Sequence, residues 1–352
     1  MTDISGVAPQ RATEISFIIP FMKALQLVEY GRFELVDLPV PELGDQDVLV
    51  RVRACGICGS DVHGMDGSTG RRIPPIVMGH ESSGEIAVIG KAVTEWNVGD
   101  RVNFDPTFYC GECPYCLRGE TNLCDNRQVP GVSCNEFRRN GAFAEYLVVP
   151  SRNLYKLPDN MTYEQAAMVE PVAVAVHGVN LLNLNGGERV AVVGCGMIGF
   201  LIVQVLKAKG AGEIIAVDID PKKLELAKTV GADSGCTSTV DMELDCAIEA
   251  VGITPTVDIA IRSVRKGGTV SLVGNMSPKV EIPLQVLVQK ELTVHGSCGS
   301  RLDFPESISL IASGAINVEP MISARISLDQ TKEYFDKLYR QEAGLMKVIV
   351  CS

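Results

Sequence analysis

Two short segments of this 352-residue chain set metal donors close together: Cys58-Gly-Ser60-Asp-Val-His63 and Gly79-His80-Glu81. Thiolate, imidazole and carboxylate are all zinc ligands, and with a neutral imidazole the two anions balance the charge of Zn2+. Three protein ligands leave a fourth position for water or a substrate oxygen, where the ion acts as a Lewis acid. The pattern therefore predicts a catalytic zinc. Glu170, in Glu170-Pro-Val-Ala-Val-Ala-Val-His177, is a further acid that could approach the same ion from a second domain, directly or through water.

Cys110, Cys113, Cys116 and Cys124 form a second cluster with the spacing C-x2-C-x2-C-x7-C. Gly111, Pro114 and Gly119 bar a regular helix there, and four thiolates at such spacing can close a tetrahedron round one Zn2+ with no open position. That reads as a structural zinc, whose binding would stabilise the lobe. An iron-sulfur cluster and four free thiols are the rival readings.

The third constellation is Gly194-Cys-Gly196-Met197-Ile198-Gly199, which directly follows the apolar run Val190-Ala-Val-Val193 and opens a helix. Glycines in that context permit a tight turn, close approach to a pyrophosphate and close helix-to-strand packing. Asp218 closes the next strand, where its carboxylate could accept hydrogen bonds from ribose hydroxyls. Ile219 and Asp220 follow with no adjacent Arg or Lys, so a 2'-phosphate would meet two carboxylates and no counter-charge. The expected cofactor is NAD rather than NADP, with Val251 and Val273 as further contacts.

These residues need two kinds of scaffold. From about Met22 to Pro158 the chain shows short β-prone runs (Asp47–Arg53, Ser83–Ile89, Ala144–Val149) broken by Gly, Pro and Asp, which predicts an irregular β-rich domain. From Thr162 helices and strands alternate: helix Tyr163–Leu182, strand Arg189–Val193, helix Met197–Lys209, strand Glu213–Val217 and helix Pro221–Val230. Further strands are expected at Cys246–Ala250, Thr269–Val273 and near Leu292–His295. This predicts an α/β fold with a doubly wound parallel sheet. The stretch Val280–Ser297, with its alternating β-prone residues, reads as an edge strand of this sheet.

Composition narrows the partners. A formal net charge of −11 repels phosphate backbones and anionic headgroups, so neither nucleic acid nor a membrane surface is expected. Twelve cysteines, clustered and without a secretory signal, suit metal binding in a reducing cytoplasm better than a disulfide framework. The early apolar stretch Ile15–Met22 contains Pro20 and is too short to span a bilayer. Residues 1–21 read as a disordered tail or as the product of a start codon placed too early.

Taken together, the motifs resemble the medium-chain zinc-dependent alcohol dehydrogenase family, in particular its sorbitol (polyol), butanediol and threonine dehydrogenase branch, over nearly the whole chain from Met22. The resemblance implies a GroES-like catalytic domain (22–158 and 296–352) beside a Rossmann coenzyme domain (159–295). It also implies Cys58, His80 and Glu81 or Glu170 as catalytic zinc ligands and the four-cysteine lobe as structural zinc. Ser60 and His63 match the family's proton relay, in which an alcohol proton passes to Ser60, then by the cofactor ribose to His63. The implied reaction moves hydride from a secondary alcohol of a polyol or diol to NAD, giving a ketone, in a homodimer or homotetramer. By the same resemblance the Val280–Ser297 strand is the edge that pairs across a dimer. Threonine, another 3-hydroxy amino acid or a sugar alcohol phosphate is the alternative substrate, and a non-catalytic nucleotide- or zinc-binding protein the alternative class.

Less specific residues carry blander readings. Cys55 is expected to be a packing thiol, and Cys195, inside the glycine turn, could touch the cofactor without doing chemistry. His177 and His295 are expected to be satisfied core or hinge histidines. Arg71 and Arg72 could reach a substrate phosphate or carboxylate, although such a pair is more often solvated.

Overall fold

The computed structural model of the chain describes residues 20–352, so the reading of 1–21 as a tail falls, except for its last two positions, outside the described residues. The described chain divides into two compact units: one holds 20–110, 125–168 and 322–352, the other 111–124 and 169–321.

The first unit opens with strands β1 (Phe21–Glu29), β2 (Arg32–Pro39) and β3 (Asp47–Gly56), then helix α1 (Gly59–Gly64). β4 (Ile76–Val77), β5 (Glu81–Ile89) and β6 (Arg101–Phe104) follow. A one-turn helix α2 (Pro114–Leu117) lies in the cysteine lobe, whose residues 111–124 belong to the second unit. β7 (Val132–Ser133), β8 (Arg138–Arg139), β9 (Tyr146–Pro150), β10 (Leu154–Lys156) and helix α3 (Tyr163–Ala167) complete this part. Its main sheet runs β10-β6-β5-β3 and is extended by two strands from the chain's end, β18 (Lys347–Cys351) and β17 (Ile322–Ser327), with helix α10 (Thr331–Tyr339) between them in sequence. The core under this sheet includes Val50, Val52, Ile86, Phe104, Phe143, Phe335 and Val348.

The second unit alternates helix and strand as expected: α4 (Val169–Asn180), β11 (Arg189–Val193), α5 (Met197–Ala208), β12 (Glu213–Val217), α6 (Pro221–Thr229), β13 (Ser234–Cys236) and β14 (Leu244–Glu249). It continues with α7 (Thr254–Ser263), β15 (Val264–Leu272), α8 (Leu284–Gln289), β16 (Thr293–Gly296) and α9 (Phe304–Ala312). All six strands are parallel, in the order β13-β12-β11-β14-β15-β16. Order reverses beside β11, so the carboxyl ends of β11 and β14 flank the topological switch point where such sheets bind ligands.

Three expectations shift. The helix read over Tyr163–Leu182 is two helices parted at Met168, because Pro171 has no N–H for the carbonyl of residue 167 and its ring crowds that turn. The strand read over Val280–Ser297 forms only at Thr293–Gly296; Pro283 cannot join a ladder and instead precedes α8. The expected domain boundary at 296 also differs from the compact unit, which continues to 321: Asp303, which precedes α9, lies 3.2 Å from His177 Nδ1 and accepts from Asn180 Nδ2, both on α4.

Candidate metal and coenzyme sites

The end of β3, the start of α1 and the start of β5 meet in the first unit. Cys58 holds the extended conformation that precedes α1, and its carbonyl accepts from the N–H groups of Asp61 and Val62. β3 and β5 pair antiparallel with Gly56 opposite Glu81, which brings the Gly79-His80-Glu81 segment to Cys58. One donor atom from each of Cys58, His80 and Glu81 lies within 4.8 Å of the others. His80 and Glu81 are buried. Glu170 sits in the second unit, in the first turn of α4.

Several features of this cluster fit a divalent cation. Burial first, and then the negative charge of Glu81, push the Cys58 thiol up to about 12, so a cation is the partner that would hold it as thiolate. Asp61 Oδ2 and His80 Nδ1 are both buried without a hydrogen-bond partner and face each other at 3.6 Å. A carboxylate beside Nδ1 favours the proton there, which leaves the Nε2 lone pair for a metal. Glu81 Oε2 accepts from Lys347 Nζ at 2.5 Å, with both side chains 1% exposed. Ser60 Oγ donates to Cys58 Sγ at 3.3 Å. His63 stands three residues on along α1, so it shares a helix face with Ser60, and it is exposed.

The second cluster is local to the cysteine lobe. Pro114 occupies the first turn of α2, where its missing N–H is harmless, and Cys113 Sγ accepts from the Cys116 N–H. Gly119 ends the turn with φ +78°. Donor atoms of Cys110, Cys113, Cys116 and Cys124 all lie within 4.8 Å of one another. Four sulfurs so arranged suit a closed tetrahedral ion. Asn122, in the same lobe, donates to the Cys298 carbonyl of the second unit, to which most of the lobe belongs.

The glycine turn lies at the carboxyl end of β11. Gly194 has φ +98°, and a methyl group at Gly199 would stand 1.9 Å from the Gly194 carbonyl oxygen, so helix and strand approach as only glycine allows. Gly196 precedes α5, which begins with Met197 and Ile198. Asp218 accepts from the Cys195 N–H through Oδ2 and from the Asp220 N–H through Oδ1, both at 2.9 Å, which fixes its carboxylate at the end of β12. Val251 and Val273 follow β14 and β15 at the same sheet edge, and both backbone N–H groups bond to Glu249. One expectation needs correction. Lys223 Nζ, a helical turn beyond Asp220, lies 3.9 Å from Asp218 Oδ2, so the surroundings of Asp218 do hold a cation.

The remaining residues are placed as follows. Cys55 is fully buried in the core. Burial, then Asp218, raises the Cys195 thiol to about 12, which makes it inert at neutral pH. His177 is buried against Asp303, and His295 is half-buried on β16. Arg71 is exposed, whereas Arg72 is 3% exposed and turned toward Asp61. The contacts of Asp61, Arg72 and Lys347 with the first metal cluster were not evident from the sequence. Asp61 does lie within the quoted motif, three residues after Cys58, and that spacing was the available signal.

Known proteins bear on this geometry. Residues 44–159 match the alcohol dehydrogenase GroES-like domain and residues 198–313 the zinc-binding dehydrogenase domain. A sorbitol dehydrogenase of Bacillus subtilis (strain 168) is 34% identical over 94% of this chain and 97% of its own length. The chain belongs to the medium-chain zinc-dependent alcohol dehydrogenase family. Its fold is a GroES-like domain with a Rossmann-like zinc-binding dehydrogenase domain, and it is an oxidoreductase. Within the family, a D-arabitol-phosphate dehydrogenase of Enterococcus avium is 35% identical over 91% of this chain and 94% of its own. A zinc-binding dehydrogenase from Sinorhizobium meliloti 1021, solved bound to NADP, superposes with a TM-score of 0.85 at 34% identity, covering 94% of this chain and 99% of that one.

Proposed function

We propose that this enzyme oxidises a secondary alcohol of a polyol or vicinal diol to a ketone, using one catalytic zinc, one structural zinc and NAD. The observation that carries the reading is the cluster of half-buried Cys58 with buried His80 and Glu81, and the Ser60 hydroxyl on its thiol. The sorbitol and arabitol-phosphate dehydrogenases among its relatives support a polyol as substrate. Cys58, His80 and Glu81 would hold the catalytic ion, with Glu170 as a further candidate, and the four lobe cysteines would hold the structural one. When bound, zinc supplies a Lewis acid for the alcohol oxygen and the nicotinamide a hydride acceptor. Ser60 Oγ accepts the alcohol proton as it releases its own hydroxyl proton, and His63, exposed on the same helix face, would take up the released proton and pass it to solvent. Gly194, Gly196, Met197, Ile198, Gly199, Val251 and Val273 form the bed for the dinucleotide.

Asp218, with both oxygens braced by backbone N–H groups, favours free ribose hydroxyls and hence NAD, while Lys223 leaves a cation for a 2'-phosphate once Asp218 is lost. Exposed Met276, Ile282, Leu284 and Val288 lie before edge strand β16 and support a homodimer or homotetramer formed there. Among the described residues no helix is long and apolar enough to cross a membrane, and zinc-binding thiols suit the cytoplasm. The arabitol-phosphate relative favours a second reading, a sugar alcohol phosphate, for which exposed Arg71 is a candidate cation.

The test is NADH formation across polyols, diols, their phosphates and threonine, on protein assayed for zinc. Turnover of one substrate class, abolished by a chelator and by Cys58→Ser while NAD binding persists, is the expected result, with about two zinc ions per chain. Full activity in Cys58→Ser would overturn the ligand assignment.

A further inference from the structure

One guanidinium outside the ligand set touches both halves of the metal cluster. Arg72 is 3% exposed, a rare state for arginine unless it is paired. Its Nε and Nη2 donate to Asp61 Oδ1 at 2.9 and 2.8 Å, Nη2 also donates to Ser60 Oγ at 3.2 Å, and Nη1 donates to the Arg71 carbonyl at 3.0 Å. Beyond these contacts, Ser60 Oγ reaches Cys58 Sγ at 3.3 Å and Asp61 Oδ2 faces His80 Nδ1 at 3.6 Å. Two ligands are thus reached from one planar group.

The arginine is also held from behind. Its backbone forms a parallel bridge with Ser133, whose N–H donates to Arg71 and whose carbonyl accepts from Ile73. Its stem lies on α1 so closely that a methyl group at Gly64 would stand 2.5 Å from Arg72 Cγ. A substrate-binding arginine presents its fork to open space; this fork is turned inward and occupied.

We propose that Arg72 is a positioning residue for the catalytic cluster, orienting the Ser60 hydroxyl toward Cys58 and holding Asp61 in place behind His80. A hydroxyl has one proton and two acceptor positions. With Arg72 in one acceptor position, the proton points away from the guanidinium, along the direction the structure shows. Lysine carries the charge but not the fork, so it cannot serve Ser60 and Asp61 from one rigid plane. The proposal rests on the reading of Cys58 and His80 as zinc ligands.

The experiment uses the full chain carrying Arg72→Lys, and a second variant, Arg72→Gln with Asp61→Asn, in which no charge is left unpaired if the single change proves hard to fold. Each is loaded with zinc and separately with Co2+. Metal affinity is measured by chelator competition, the Co2+ absorption spectrum is recorded, and kcat and KM are measured on the best alcohol found. Both variants are expected to lose about 10- to 100-fold in metal affinity or kcat, the usual effect of removing support behind a ligand, with a shifted Co2+ spectrum and little change in KM. Wild-type spectrum, affinity and kcat in Arg72→Lys would overturn the proposal, as would a loss confined to KM for a phosphorylated substrate, which would make Arg72 a substrate contact. Cys58→Ser is the control. An unchanged Co2+ spectrum there would remove the ligand reading itself, whereas a changed one alongside a silent Arg72→Lys would remove only the role of Arg72.

Discussion

Lys347 and Glu81 form an ion pair with both side chains 1% exposed, one from the last strand and the other at a candidate metal ligand. Replacing Lys347 by Met keeps most of the apolar stem and deletes the charge. Removing one partner of a buried pair leaves the other charge uncompensated, which costs about 3–5 kcal/mol. That figure applies only while nothing else compensates Glu81, and a divalent cation at the Cys58, His80 and Glu81 cluster would do so. The loss is therefore expected to depend on metal. For a unit of ~150–250 residues each kcal/mol moves Tm by about 2–4 °C, so the chelated variant should melt about 6–20 °C below chelated wild type. With zinc present the gap should shrink to a fraction of that. The lost hydrogen bond from Lys347 to the Ile57 carbonyl acts equally in both states and cancels in the comparison. Adding Glu81→Gln should restore most of the metal-free stability, because it removes the stranded charge. Thermal unfolding followed by circular dichroism, with zinc and with chelator, provides the four curves. An equal drop in the two conditions would refute the idea that Glu81 and a metal compensate each other.

Gly199→Ala places a methyl group 1.9 Å from the Gly194 oxygen and should weaken NAD binding roughly tenfold or more, about 1.4 kcal/mol; wild-type affinity by fluorescence titration would show that the turn is not the coenzyme bed. Cys113→Ser should reduce zinc content from about two to about one per chain and lower Tm while leaving NAD binding intact; an unchanged zinc content would point to free thiols in the lobe. Glu85 is held below the usual carboxylate range, chiefly by its hydrogen bond from Arg53 and, against burial, by that from Tyr163. A depressed carboxylate contributes stability in full above about pH 4.5 and loses it as pH falls through the folded value, so Glu85→Gln should flatten part of the acid limb of the Tm profile. An identical acid limb would count against that contribution.

The parallel strands were the most legible part of the fold, and the bounds Arg189–Val193 and Glu213–Val217 coincide with β11 and β12. Strands buried on both faces must read as unbroken apolar runs, and the glycine turn marks where the first of them ends. Proline caused two of the misreadings, since Pro171 and Pro283 act through a missing N–H that hydrophobic periodicity does not register. The reach of the second unit to 321 depends on side-chain pairing between Asp303 and the α4 residues His177 and Asn180, which no local pattern announces.

The site divides along the same line. A metal donor must be one of a few residue types, and several must lie within a few ångströms, so short spacings such as His80 to Glu81 and Cys110 to Cys124 stand out in a sequence. A counter-charge needs only to be a cation delivered by the topology from anywhere. Lys347 lies 266 residues from Glu81, and it arrives because β18 pairs with β3, placing Ile349 opposite the same Gly56 that faces Glu81 across β5. Arg72 arrives through a single bridge to Ser133, and Lys223 reaches Asp218 only because α6 starts directly after β12. Ligand chemistry is thus written locally and its electrostatic support is written in strand order. The residues that tune such a site are for that reason found in the structure, and the tests that separate support from ligation must vary metal and side chain together.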